Sequence, residues 1–230
     1  MIELDEICRR LSEVKKKGWI RTARSGPTGI GHTLERHLQL SENNISSPDF
    51  GEIELKAQRE NHAGMVTLFT FNRNAWKMPQ LEAIKKYGSF DRDGRKGMYY
   101  TMELLPNSAG LFLWIDDDCI SVRHVDGSII AEWNMDDVVD RFNQKVKNIL
   151  LVKAKSEMRD GVEYFLFNRA RLLSGGINKS ILKNQMENEK LKLDLRLHDK
   201  GTHARNHGTG FRAVESDMDN FYMRNEEIDF

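Results

Sequence analysis

The chain is expected to adopt an α/β (α+β) fold, a mixed central β-sheet flanked by helices. Three observations predict it. The chain opens with helical periodicity, Leu4, Ile7, Leu11 and Val14 recurring at spacings of three and four. Short apolar or alternating runs follow, bounded by Gly, Asn and Asp turns as strands are. Helix-like segments interrupt those runs instead of gathering at one end of the chain.

The elements follow in order. Residues 3–17 form an amphipathic helix that Gly18 ends, and a second helix runs from about Gly31 to Leu40 with Ile30, Leu34 and Leu38 on one face. "SENNISSPD" is dense in turn residues and reads as loop. "FGEIELKAQ" alternates and reads as a strand, with "MVTLFTF" as its expected hairpin partner. "PQLEAIKKYG" is a short helix. The runs "MYYTMEL", "GLFLWID", "CISVRHV" and "SIIAEW" read as strands, and a helix follows from Met135 to Lys147. "NILLVKAKSE" and "VEYFLFN" are two further strands, and residues 168–188 read as helix. "LKLDLRLH" alternates strictly: Leu191, Leu193, Leu195 and Leu197 face one way, and Lys192, Asp194, Arg196 and His198 the other.

Composition narrows the function. With 230 residues, 39% of them hydrophobic, the chain can bury one sizeable core and is read as one domain, 1–230, with room for a second lobe. Lys+Arg and Asp+Glu both number 35, so any nucleic-acid site has to be a local patch. "KGTHARNHGTGFR" is such a patch, with Lys200, Arg205, Arg212, His203 and His207 and no acid, whereas residues 215–230 are largely acidic. Two cysteines, Cys8 and Cys119, offer neither a disulfide framework nor a zinc quartet and read as reduced thiols. No apolar run reaches the length of a membrane span, and "MIELDEICRR" lacks the order of a signal peptide, so a cytoplasmic protein without a membrane partner is expected.

Two motifs invite chemistry. "GPTGIGHT" (Gly26 to Thr33) matches a nucleotide-binding phosphate loop except that His32 replaces the lysine. The preceding "GWIRTARS" is too polar for the buried parallel strand such a loop requires, and Asp116-Asp117-Asp118 reads as an acidic hairpin turn instead of a magnesium-binding strand end. The glycines are therefore read as a tight turn that launches the helix bearing Glu35.

The second motif is "SPDFGEIELK". Glu54 and Lys56 lie two apart on a strand and share a face, while Ile53 and Leu55 point away. Asp49 enters the strand close enough to share their site. Two carboxylates suit Mg²⁺, which prefers hard oxygen ligands, and a neighbouring lysine can orient water or stabilise developing negative charge. The other E-x-K copy, Glu13-Val14-Lys15, lies on a helix, where positions i and i+2 do not face each other. From the residues alone, Glu54 and Lys56 fit an exposed charged face equally well.

In combination these segments resemble the MvaI/BcnI-type restriction endonucleases, relatives of the mismatch-repair nickase MutH, and are closer to the MvaI side. "GPTGIGHTLE" resembles the family's glycine turn and helix, "SENNISSPDFGEIELK" its active-site loop and strand, and "TLFT" the strand that follows. "LDLRL" and "HGTGFR" resemble its DNA-reading segments. The match runs from about residue 20 to 215 and is poor over 75–150.

The resemblance implies a PD-(D/E)xK, MutH-like nuclease fold, with a catalytic part at about 20–160 and DNA-recognition elements at about 165–215 flanking a cleft. It implies a type II restriction endonuclease, Mg²⁺-dependent, cutting double-stranded DNA at a CC-N-GG-type site, with CCWGG expected, and leaving 5′-phosphates. A monomer that nicks the strands sequentially and a cognate DNA methyltransferase as functional partner are implied too. The alternatives are a MutH-type strand-nicking repair enzyme or an inactive DNA-binding module. Asp49 and Glu54 would be metal ligands, Lys56 the catalytic lysine and Glu35 an accessory acid on its helix. His32 departs from the lysine expected there, and the loop before His207 is longer.

The reading face agrees with this assignment. Asp194 can accept from cytosine N4, and Arg196 and Arg212 can each donate twice to guanine. His203 or His207 could contact phosphate or the minor groove.

Overall fold

A computed structural model describes residues 4–40, 47–60, 63–72 and 74–230. Most of the loop expected at "SENNISSPD" lies outside the described residues. The chain folds into two compact units by contributing to them in alternation. Residues 1–66, 144–176 and 222–230 build the first, and residues 67–143 and 177–221 the second. Residues 67–143 therefore fold with 177–221, so neither unit is one continuous stretch.

The first unit is a sheet covered by helices. Helix α1 (Leu4–Lys16) buries Ile7, Leu11 and Val14, and places Asp5 and Glu6 in its first turn and Lys15 and Lys16 in its last, as its dipole favours. Strand β1 (Ile20–Arg21) is a two-residue edge. Helix α2 (Gly29–His37) starts and stops earlier than its periodicity predicts, and Gln39 beyond it has a φ of 59°. Strand β2 (Ile53–Arg59) carries the E-x-K motif. Two long strands, β9 (Asn148–Arg159) and β10 (Val162–Ser174), form the spine, with β14 (Arg224–Ile228) on the outer side of β10. The order is β1-β10-β9-β2. Ile30, Leu34 and Leu38 join Leu55, Leu150, Val152, Phe165 and Phe167 in one core with the α1 stripe.

Two sequence expectations fail in this sheet. The partner of β2 is β9, in parallel, with Glu54 beside Ile149 and Lys56 beside Leu151, and not the "MVTLFTF" strand. The reason is burial: Ile149, Leu150, Leu151 and Val152 are all fully buried, so β9 needs cover on both faces and both edges, and β2 supplies one edge. A parallel pair needs a long crossover, and residues 67–143 lie within it. The second failure is residues 168–188. The strand continues through Ser174 across a bulge between Phe167 and Arg169, and only Lys179–Glu187 is helical (α5). "NRARLLS" extends the ladder on β9, and Gly175 and Gly176 stop it before Asn178 caps α5 by accepting from Ile181 N.

The second unit contains two sheets. Strands β3 (Val66–Thr70), β4 (Ser89–Phe90), β5 (Lys96–Met102), β11 (Lys192–Asp199), β12 (Ala204–Asn206) and β13 (Gly210–Ala213) form one, ordered β3-β13-β11-β5-β4 with β12 beside β11. Strands β6 (Leu111–Ile115), β7 (Cys119–His124) and β8 (Ile129–Asn134) form an antiparallel meander, with Asp116–Asp118 at the hairpin turn as expected. Helices α3 (Gln80–Tyr87), α5 and α6 (Glu215–Met218) belong to this unit. Helix α4 (Met135–Val146) begins in it and ends in the first unit. Phe69 stacks on Phe211 at 4.7 Å, with Phe142 and Trp133 edge-on to that pair. Leu193, Leu195 and Leu197 of β11 are buried, as their alternation predicts.

Candidate active site

A tight turn creates the geometry of the carboxylate–lysine group. Phe50 and Ile53 exchange backbone hydrogen bonds at 2.9 Å in both directions across Gly51-Glu52, and Gly51 takes a φ of 60° that glycine adopts without strain. Phe50 is buried and anchors the turn in the core. The same antiparallel register carries Asp49 back beside Glu54. Asp49 Oδ2 then accepts from Leu55 N at 2.9 Å, which fixes the carboxylate.

The charges at this turn are coupled. Glu54 is 4% exposed. Lys56 Nζ donates to Glu54 Oε1 at 2.7 Å, the i, i+2 contact that strand alternation predicts. Lys145, near the end of α4, puts its Nζ 2.7 Å from Glu54 Oε2 and donates to Ser47 O at 2.7 Å. Glu54 Oε2 nonetheless receives no well-aligned hydrogen bond. Asp49 stands at the solvent rim, yet its carboxyl packs among protein atoms. That packing, and then the charge of Glu54, push its pKa up, against the Leu55 N–H and the two lysines, which pull it down. Tyr222 completes the floor. Its buried hydroxyl donates to Val146 O at 2.9 Å, and burial and the Glu54 charge hold it far above the usual phenol range, so it stays protonated.

Glu35 stands on the helix beside this group. It is half-buried on α2, which packs on β2, and its Oε1 lies toward Gly31 of its own helix. Among the described residues no three His, Cys, Asp or Glu side chains gather closely enough to hold a metal ion by themselves. Asp49, Glu54 and Lys56 are thus brought together, and Glu35 is not brought to them as a third ligand. The glycine turn before α2 has a packing role: a Cβ on Gly29 would sit 2.3 Å from Arg24 O. The strand before it, β1, is antiparallel to β10, unlike the strand of a nucleotide-binding loop.

The second unit assembles the other candidates on one sheet. Asp194 is buried; it accepts from Thr101 Oγ1 at 2.7 Å and from Arg212 Nη1 across the β11–β13 pair. Arg196 donates through Nε to Gly208 O at 3.1 Å and lays its guanidinium over Gly210. Burial and the nearby Arg212 lower its pKa. His207 is exposed and stacks on buried His198 at 5.3 Å, whose Nδ1 meets Tyr99 Oη at 2.8 Å. His203 is exposed beside Thr202. Asn72 clamps the loop before β13, its Oδ1 accepting from both N and Oγ1 of Thr209. Asp194 therefore spends both oxygens inside the protein, while the two arginines are half-buried and His207 is exposed.

The model of the MvaI/BcnI restriction endonuclease family matches residues 8–222. The chain belongs to that family. Its fold is the restriction-endonuclease fold of MvaI. The structure of the restriction endonuclease MvaI in complex with its cognate DNA substrate matches with a TM-score of 0.82 at 24% identity, over 97% of each chain. MvaI in the absence of DNA matches with a TM-score of 0.54 at 25% identity, over 98% of this chain and 97% of that one. No curated protein matches. As an MvaI/BcnI-family enzyme the chain is a site-specific endonuclease. No helix among its described residues is long and apolar enough to cross a membrane.

Sequence reasoning missed Lys145, Tyr222, Thr101 and Asn72 in this family member. Lys145 and Tyr222 lie 91 and 168 residues beyond Glu54, and no local pattern marks them. The one available signal for Thr101 was its position in an alternating run.

Proposed function

We propose that this chain is a type II restriction endonuclease hydrolysing double-stranded DNA with Mg²⁺ held by Asp49 and Glu54. The observation that carries the reading is the convergence of Asp49, Glu54, Lys56 and Lys145 on one turn of an MvaI/BcnI-family chain. The donor set suits Mg²⁺, which takes one or two carboxylates and keeps several waters. Burial and then the nearby Glu54 charge raise the pKa of Asp49, and Glu54 Oε2 still has an acceptor lobe without an aligned donor. A hard divalent cation satisfies both. The complex of MvaI with its cognate DNA supports duplex DNA as substrate.

Bound Mg²⁺ would lower the pKa of the attacking water and offset charge on the scissile phosphate. The chain's own residues do the positioning. The Leu55 N–H holds Asp49 still. Lys56 turns its ammonium from Glu54 toward the water and the phosphate oxygens, orienting one and stabilising the other. Lys145 ties the Ser47 carbonyl to Glu54 and so keeps the entry loop against the strand. Glu35 acts from α2 as an accessory acid. The water oxygen bonds to phosphorus as the water loses a proton to solvent, the bond to the 3′-oxygen breaks, that oxygen takes a proton from solvent, and a 5′-phosphate and a 3′-hydroxyl are left.

The target is a short pseudopalindromic CC-N-GG site, CCWGG in the first instance. Arg196 and Arg212 read guanines, Asp194 holds Arg212 in place, and His203 and His207 touch the backbone or the minor groove. The enzyme works as a monomer, nicking one strand and then the other, with a methyltransferase protecting the same site. The test is plasmid DNA in Mg²⁺ followed by end mapping. Discrete fragments with 5′-phosphates are expected, and their loss in Asp49→Ala, Glu54→Ala and Lys56→Ala. Intact plasmid in Mg²⁺ together with a gel shift in Ca²⁺ would reduce the protein to a binding module. Nicks that never become double-strand breaks at excess enzyme would favour the MutH-type repair reading.

A further inference from the structure

The glycine turn takes no part in the carboxylate–lysine group, yet it walls a cavity of about 710 Å³ in the first unit. Arg21, Arg24, Arg36 and His37 line it, with the hydroxyl-bearing Thr22 and Ser25. Glu163 is the one acid among the described lining residues, and both its oxygens are taken by Arg59, at 2.6 and 2.7 Å. That carboxylate is thus held by Arg59, which is not among the residues lining the cavity. Lys17 adds a further cation, its Nζ 3.1 Å from His37 Nδ1.

The wall is stiff. Thr22 N donates to Glu163 O, Thr22 Oγ1 to Arg24 O at 2.6 Å, and Ala23 N to Thr33 Oγ1 at 2.9 Å. Arg59 donates from the other side to Gly26 O and Pro27 O. Three guanidiniums around a braced turn make a preformed anion site, and the guanidinium fork matches phosphate oxygens in pairs. In a chain with equal numbers of acids and bases, such an excess is a local feature.

We propose that this cavity is a backbone-phosphate subsite for duplex DNA outside the recognition sequence, a proposal that rests on the DNA-cleaving function above. Arg59, which braces the turn at Gly26 and Pro27, is five residues beyond Glu54 on β2, about 17 Å at the rise of a strand. Each DNA strand advances about 3.4 Å per base pair, so the contact falls on the order of five base pairs from the cut.

The test measures binding in Ca²⁺ to duplexes carrying the target site with flanks of about 3 or about 12 base pairs, across a salt series. Wild type gains affinity on the long duplex, and its log K against log salt is steeper there by about 0.9 for each extra phosphate contact. Combining Arg21→Gln, Arg24→Gln and Arg36→Gln abolishes both gains without touching the short duplex. Arg36→Gln alone removes about one contact and serves if the triple variant fails to fold. A long-duplex advantage that survives these substitutions overturns the subsite, as does its absence in wild type that still binds the short duplex. Wild type binding neither duplex overturns the endonuclease reading itself. Millimolar inorganic phosphate or a mononucleotide supplies the other arm. Thermal stabilisation of wild type by either, lost in the variants and without any dependence on DNA length, assigns the cavity to free phosphates and overturns the backbone assignment.

Discussion

Strands β2 and β11 each present an acid and a base two positions apart, Glu54 with Lys56 and Asp194 with Arg196, and the fold uses the two pairs differently. On β2 the acid keeps its own i+2 partner and gains a second amine and a second acid. On β11 the acid turns across the sheet to Arg212 and Thr101, and Arg196 goes to a backbone carbonyl. Alternation decides which face a side chain takes, whereas the neighbouring strand decides whom it meets. The parallel neighbour β9 presents only aliphatic chains beside Glu54, so the second amine comes from the end of α4. The antiparallel neighbour β5 presents Thr101 directly opposite Asp194, and β13 presents Arg212 on the diagonal, opposite Lys192. Two acids with compact, mobile ammoniums can exchange partners for a divalent cation. A buried acid on a planar guanidinium fixes a donor fork for base edges.

The comparison breaks most sharply at Lys56. Lys56→Ala is expected to slow cleavage on the order of 10²–10³-fold and to leave DNA binding unchanged, measured by single-turnover cleavage and filter binding in Ca²⁺. Equal loss of binding would make the two strands alike in role.

Next in size is Arg212→Ala, expected to cost about 1–3 kcal/mol of discrimination against a site with one altered C·G pair. Asp194→Asn should reproduce part of that loss with little change on non-specific DNA. If Asp194→Asn instead leaves discrimination intact while Arg212→Ala removes it, the acid does not position the arginine.

Lys145→Met sharpens the catalytic half. It leaves Glu54 with one amine, and the metal-free protein should lose up to about 3 kcal/mol in urea unfolding, less than for a pair with no second cation. Added Mg²⁺ should restore more stability to this variant than to wild type. A metal response equal to that of wild type would separate Lys145 from the cation site.

The smallest effect is a pH dependence from the stacked pair His198 and His207. Burial and then surrounding cations, Lys200 for His198 and Arg205 for His207, hold both imidazoles below their ordinary value near 6.5. The unfolded chain then takes up these protons before the folded one. Stability is complete at neutral pH and declines as pH falls below 6.5, until the lowered folded values are passed. Thermal midpoints between pH 7.5 and 5 should show the decline, and His198→Gln should flatten it.

Much of the catalytic strand was legible. The alternation of "EIELK" put Glu54 and Lys56 on one face, and "SPDFG" placed Asp49 next to them, because both rest on distances of a few residues. The β11 alternation was legible for its leucines, but its polar side was read as open when Asp194 and His198 are buried. Residues 168–174 were misread because a strand that continues a ladder carries no local mark of doing so. The pairing of "FGEIELKAQ" with "MVTLFTF" follows from adjacency, and adjacency misleads because residues 67–143, the first part of the second unit, intervene before the true partner, β9.

The sequence by itself determined the helices, most strands, the glycine turns and the acid–amine pair on β2, since each depends on backbone preference and side-chain period over short spans. Only tertiary structure decided that Lys145 and Tyr222 close around Glu54, that Arg212 captures Asp194, and that Glu35 stays on its own helix. Those choices depend on which strands pair and in what register, and pairing is driven by burying apolar surface over the whole chain, so no short segment can encode it alone.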